Sequence, residues 1–121
     1  MTTTIVIADD HSDIRRLLIL TLGKEFTIVE ADDGISALEA IRHHHPRAVL
    51  LDVMMPGEMD GLQVLDAIKA DPATRDILVA MVTARGQAAD SDDARIRGAD
   101  AYFIKPFSPR KVAGWLLSHL T

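Results

Sequence analysis

Asp9, Asp10, Asp52, Thr83 and Lys105 are the residues of this chain whose types suit one piece of chemistry together. Three carboxylates sharing a crevice repel one another, and they stay ionised only with a cation among them. Their ligand atoms are hard oxygens, with no His or Cys in the pattern, which suits Mg²⁺. An ionised Asp is a competent nucleophile toward phosphorus. A bound metal offsets charge on the transferring group. A lysine ammonium is a compact point charge for the same oxygens, and a threonine hydroxyl donates to one of them. The set is complete for phosphoryl transfer to a carboxylate, provided the fold gathers it.

The elements that must do the gathering are legible. Ile5-Val6-Ile7-Ala8 reads as a buried strand, followed by Ile14, Leu17, Leu18, Thr21 and Leu22 at helical spacing. Ser12 is the expected N-cap and Asp13 suits the positive end of that helix, with Gly23 near its close. A second strand covers Thr27 to Ala31, Asp33-Gly34 turns the chain, and Ala37, Leu38 and Ile41 mark a helix stopped by Pro46. Ala48 to Leu51 is apolar throughout, as a central parallel strand buried on both faces should be. A loop from Met54 to Asp60 leads to a third helix carrying Leu62, Leu65 and Ile68, which ends by Asp71-Pro72. Ile77 to Val82 is a fourth strand, Gln87 to Arg97 a weak fourth helix, Ala101 to Ile104 a fifth strand, and Val112, Leu116 and Leu120 mark the last helix.

This (βα)₅ order predicts a parallel sheet with helices on both faces. Sites in such sheets lie at the carboxyl ends of the strands. Asp9 and Asp10 follow strand one, Asp52 ends strand three, Thr83 strand four and Lys105 strand five. An Asp after four buried apolar residues is costly without partners, so Asp52 reads as part of a site.

Composition sets the bounds. The 121 residues fit a single domain over 1–121, 48% hydrophobic and 26% charged, with no cysteine for disulfides or thiolate metal sites. A net charge of −5 argues against direct nucleic-acid binding. There is no signal-peptide pattern and no membrane-length apolar run, so a cytoplasmic location is the default and no membrane partner is expected.

With these residues in place, the sequence resembles the receiver domains of two-component signalling, the chemotaxis-regulator-like family of response regulators, from about Ile5 to Leu120. The resemblance rests on Ala8-Asp9-Asp10, Leu51-Asp52-Val53-Met54-Met55-Pro56 with Met59-Asp60-Gly61, Thr83-Ala84, and Gly98-Ala99-Asp100-Ala101-Tyr102-Phe103-Ile104-Lys105-Pro106-Phe107. It implies a flavodoxin-like, doubly wound α/β fold with strand order 2-1-3-4-5. It implies Asp52 as phosphoacceptor, and Mg²⁺ held by Asp9, Asp10, Asp52 and the backbone carbonyl of Met54. It implies Thr83 and Lys105 as phosphoryl contacts, Tyr102 as the switch aromatic and a cis Lys105–Pro106 bond, the accessible kind of cis peptide. The donor would be a sensor histidine kinase or phosphotransfer protein. The response would be a change in the surface of the fourth helix, fifth strand and last helix, felt by a downstream protein or an attached output. The chain would be a phosphoprotein and not an enzyme, and a monomer or a weak phosphorylation-linked dimer. One departure stands out: the loop Pro56-Gly57-Glu58-Met59-Asp60-Gly61 is one residue longer than the commonest spacing, a cheap change in a loop.

Other readings compete. A phosphatase using an aspartyl-phosphate would need a cap or inserted domain, for which the chain lacks length. A flavodoxin-like cofactor binder would not need the acidic cluster. A degenerate receiver acting as a phosphorylation-independent binding module would lose Asp52 or Lys105, and both are present. Tyr102 alternates with Phe103, so the two face opposite ways, and a packed structural tyrosine is the plainer alternative there. His43-His44-His45 reads as a solvated helix end, since consecutive helical residues cannot all bind one ion. Met54, Met55 and Met59 read as loop packing, and Asp90, Asp92 and Asp93 as a solvated helix face. Trp115 either packs inward or marks a docking face. Ile96 is the only large apolar residue from Gln87 to Arg97, so that helix should be weakly anchored. Met54 and Arg85, two beyond Asp52 and Thr83, lie where the family tunes dephosphorylation.

Overall fold

Alternating short apolar runs and amphipathic stretches become alternating strands and helices. The computed structural model describes residues 3–84, 92 and 94–120. The strands are β1 (Thr3–Ala8), β2 (Phe26–Ala31), β3 (Ala48–Asp52), β4 (Leu78–Ala84) and β5 (Ala101–Lys105). The helices are α1 (Ser12–Leu22), α2 (Gly34–His44), α3 (Gly61–Ala70) and, last in the chain, α4 (Pro109–Leu120). The expected helix from Gln87 to Arg97 lies mostly outside the described residues, as do Arg85, Asp90 and Asp93; residues 92 and 94–96 within it are helical.

All five strands are parallel and ordered β2-β1-β3-β4-β5, as expected. The order steps outward from β1 on one side and from β3 on the other. The β2-to-β3 connection passes over β1 and reverses the winding, which opens a crevice at the carboxyl ends of β1 and β3.

Side chains alternate across the sheet and build two cores. Val6, Val49, Leu51, Val79 and Met81 pack with α2 and α3 through Ala37, Ile41, Leu62, Val64, Leu65 and Ile68. Ile5, Ile7, Ala48, Leu50 and Ala80 pack with α1 and α4 through Leu18, Leu22, Val112, Leu116 and Leu120. The central strand β3 is buried along its whole length, so the apolar run Ala48 to Leu51 is apolar on both faces because both faces are covered. Each such Leu or Ile contributes about 1.5–3 kcal/mol by burial.

Helix starts differ from expectation in two places. Ser12 is the first residue of α1, and the N-cap is His11, whose side chain makes no capping bond. Asp33-Gly34 is a helix start as well as a turn: the Asp33 carboxylate accepts from the Ser36 N–H at 2.7 Å and closes a capping box. Asp60 caps α3 in the same way with Gln63, so the long β3–α3 loop ends in an ordered cap. His45 closes α2 in the left-handed region, φ 47°, and the exposed histidine tract is a helix terminus. Trp115 is half-buried against the α1–α4 core, edge-on to Phe103 at 6.3 Å. Among the described residues, no helix is long and apolar enough to cross a membrane.

Candidate functional site

The carboxyl ends of β1, β3 and β5 converge on one charged cluster. Asp52 is the last residue of β3 and Asp9 follows β1 directly; both are buried, with Asp52 only 3% exposed. Lys105 ends β5 and reaches both: its Nζ lies 3.0 Å from Asp9 Oδ2 and 3.1 Å from Asp52 Oδ2. Asp10 is exposed at the rim. The β-strand alternation sorts these groups. Asp52 shares parity with Ala48 and Leu50, and Lys105 with Ala101 and Phe103, so they belong to the α1–α4 side of the sheet.

Thr83 is buried near the end of β4, in register with Ile104 of β5. It shares parity with Val79 and Met81, on the α2–α3 side. Tyr102 packs against that same core, and Phe103 against the other, so the two rings do face opposite ways. A hollow of about 180 Å³ lies beside Tyr102, lined by Arg95, Ala99, Asp100 and Ala101. The Lys105–Pro106 peptide is cis.

The local sequence explains why Asp52 is held so firmly. The Met54 N–H donates to Asp52 Oδ1 at 3.2 Å, which folds the chain back over the carboxylate. The Gly61 N–H donates to the Val53 carbonyl at 2.9 Å. A Cβ on Gly61 would overlap the Asp52 carbonyl oxygen, so only glycine lets α3 begin this close to β3. The Met54 side chain is 59% exposed beside the cluster, whereas Met55 is buried in the core and Met59 packs against it. Met55 and Met59 are thus packing residues, and Met54 is not.

Two residues at the cluster are not legible as site residues in the sequence. The first is His11, which overturns the expectation of a site without histidine. Its Nδ1 lies 3.1 Å from Asp9 Oδ1 and 3.1 Å from Asp10 Oδ1, and its backbone N–H donates to Asp9 Oδ1 at 2.9 Å. The second is Arg15. Its Nη1 donates to the Asp9 carbonyl at 2.7 Å while its Nε pairs with Glu30 Oε1 at 3.0 Å. It ties the β1–α1 turn to β2. Adjacency to Asp9-Asp10 was the available signal for His11; for Arg15 there was none, because one partner lies in the β1–α1 turn and the other on β2.

Electrostatics follow from this packing. Burial, then the Asp9 charge, push the Asp52 carboxyl up to about 6 against the pull of Lys105. Burial works to lower the Lys105 ammonium, but its hydrogen bond to Asp9 and the charge of Asp52 hold it above the usual lysine range. The hydrogen bond to Asp9, then the charge of Asp10, raise the His11 imidazole above its ordinary value. The crevice therefore carries more negative charge than its own cations balance. Donor atoms of Asp9, Asp10, His11 and Asp52 lie within 4.8 Å of one another. That donor set, rich in carboxylate oxygen, fits a small hard divalent cation.

Comparisons with known proteins agree with this geometry. Residues 5–116 match the profile of the response regulator receiver domain. The transcriptional regulatory protein SrrA of Staphylococcus aureus is 41% identical over 113 residues, covering 93% of this chain and 45% of that protein. The chain thus spans under half the length of the curated relatives it matches. The receiver domain of NtrX from Brucella abortus superposes with a TM-score of 0.84 at 34% identity, covering 95% of this chain and 94% of that one. The REC domain of AraT, a response regulator from Geobacillus stearothermophilus, shares the fold with a TM-score of 0.85 at 24% identity, over 98% and 92% of the two chains.

Proposed function

The chain belongs to the response regulator receiver domain family of two-component signalling, and on that premise we propose that residues 1–121 act as one receiver unit that takes a phosphoryl group on Asp52. The observation that carries this reading is the buried Asp52 carboxylate at the end of the central strand, sharing the Lys105 ammonium with Asp9.

The donor is a phosphohistidine on a sensor kinase or phosphotransfer protein. An Asp52 carboxylate oxygen attacks phosphorus, the O–P bond of an acyl phosphate forms, and the P–N bond breaks with its electron pair returning to the donor imidazole. Asp9, Asp10, Asp52 and the Met54 carbonyl are the groups that would hold Mg²⁺, which when bound offsets the charge on the transferring group. Lys105 already bridges Asp9 and Asp52, so its ammonium is in place for a phosphoryl oxygen. The new group adds about −1.5 to −2 charges at Asp52. Thr83 donates its hydroxyl to it, and Tyr102, next to the hollow on the opposite side of β5 from Phe103, turns inward. The surface formed by the segment before β5, by β5 itself and by the last helix changes population between two states. A downstream protein or an attached output reads that surface. The domain signals, and its only chemistry is on itself.

Incubation with Mg²⁺ and acetyl phosphate tests this by intact mass. One added phosphoryl group, dependent on Mg²⁺ and absent from Asp52→Asn, is expected. A folded protein that gains no mass with Mg²⁺ present would turn the reading to a receiver that works by binding alone.

A further inference from the structure

His11 occupies the N-cap of α1 yet caps nothing. N-cap side chains ordinarily accept from the first free N–H groups of the helix. This imidazole turns back to the carboxylates instead, with Nδ1 3.1 Å from one oxygen of Asp9 and 3.1 Å from one of Asp10. In the chain alone this nitrogen shares a hydrogen bond with Asp9 Oδ1, and a ligated ion would take the place of the shared proton. Adjacent donors around one octahedral ion at about 2.1 Å sit about 3.0 Å apart, close to this spacing. Lys105 takes the other oxygen of Asp9, on the far side of the carboxylate. The crevice is therefore divided, with an ammonium against the Oδ2 atoms and an imidazole nitrogen against the Oδ1 atoms of Asp9 and Asp10.

We propose that His11 is a nitrogen ligand of the receiver's metal site, which makes this crevice select late first-row divalent ions such as Co²⁺ and Zn²⁺ over Mg²⁺. The inference rests on the phosphoacceptor reading, because it places the ion among Asp9, Asp10 and Asp52. An all-oxygen set suits Mg²⁺. Replacing one oxygen by imidazole moves the preference toward Co²⁺ and Zn²⁺, because imidazole nitrogen suits late first-row ions and carboxylate oxygen suits Mg²⁺. The imidazole is exposed enough to rotate about its side-chain bonds, while its backbone is pinned by the bond to Asp9 Oδ1 at 2.9 Å. The ion the domain carries in the cell then depends on which divalent metal is available.

The test is a titration of the intact chain with Mg²⁺ and with Co²⁺, beside His11→Gln, Asp52→Asn and a variant with His43, His44 and His45 all changed to Gln. Co²⁺ shifts the N–H resonance of a bound imidazole far outside the protein envelope in proton NMR. The expected result is one such resonance, lost in His11→Gln and kept in the triple variant, with the Co²⁺-to-Mg²⁺ affinity ratio falling at least tenfold in His11→Gln. If both ions bind and Asp52→Asn weakens them, but no shifted resonance depends on His11 and the ratio holds, the inference is overturned and the phosphoacceptor reading stands. If neither ion's binding responds to Asp52→Asn, the metal is elsewhere and both are overturned.

Discussion

Asp52 sits where three demands meet: burial from β3, repulsion from Asp9 and attraction from Lys105. The first two win, and its carboxyl rises to about 6. A raised carboxyl binds its proton more tightly in the folded than in the unfolded chain. Its contribution to stability is therefore present below about pH 4 and is lost as pH rises through about 6. Asp52→Asn removes that loss. Without divalent metal, the variant should be more stable than the parent by on the order of 2 kcal/mol above pH 7, with the difference shrinking toward zero near pH 4. Urea unfolding at several pH values measures it. A variant less stable than the parent at pH 7.5 would mean that the Lys105 pair outweighs burial and repulsion.

At the scale of elements, the strands were legible because each is a short apolar run, and Asp9, Asp52 and Lys105 were legible as a cluster because they stand at strands' carboxyl ends. Helix starts were less so. Ser12 has the chemistry of an N-cap, but His11 holds the position because its neighbours Asp9 and Asp10 draw its side chain. The purpose of Gly61 shows only in the close approach of α3 to β3. Gly61→Ala should cost about 1–3 kcal/mol, since the Asp52 carbonyl is backbone and cannot step aside alone. It should also slow phosphorylation by roughly tenfold to a hundredfold, by moving the acceptor carboxylate; single-turnover mass spectrometry reads this beside a denaturation curve. The segment before β5 is the opposite case. Ile96, its one large apolar residue, is 85% exposed, and among its described residues small Ala94 is buried. Amides at 94–97 should exchange with solvent orders of magnitude faster than those of Leu18 and Leu22 in α1. Equal protection would contradict weak anchoring.

Across the whole molecule, the sheet is a partition between two cores, and the proposed function sets the phosphoacceptor toward one side and the switch aromatic on the other. Asp52 and Lys105 belong to the α1–α4 side by strand parity, and Thr83 and Tyr102 to the α2–α3 side. On the proposed function, a change at Asp52 would reach Tyr102 through β4 and β5, whose registers place Thr83 beside Ile104 and Met81 beside Tyr102. Trp115 and Phe103 pack on the α1–α4 core, away from the core that holds Val79 and Met81, the parity neighbours of Thr83. This asymmetry could not be read from composition or periodicity; it follows from counting parity along paired strands once their register is known. It predicts where phosphorylation is felt. On formation of the acyl phosphate, NMR shifts should be largest at Thr83, Ala94, Ala99 and Tyr102, and clearly smaller at the Trp115 indole. Buried side chains transmit a displacement to what they touch, because packed interiors leave little slack. A Trp115 shift as large as that of Tyr102 would mean that the signal crosses the sheet through Lys105 and β5 as a rigid unit, and that Thr83 is not its gate.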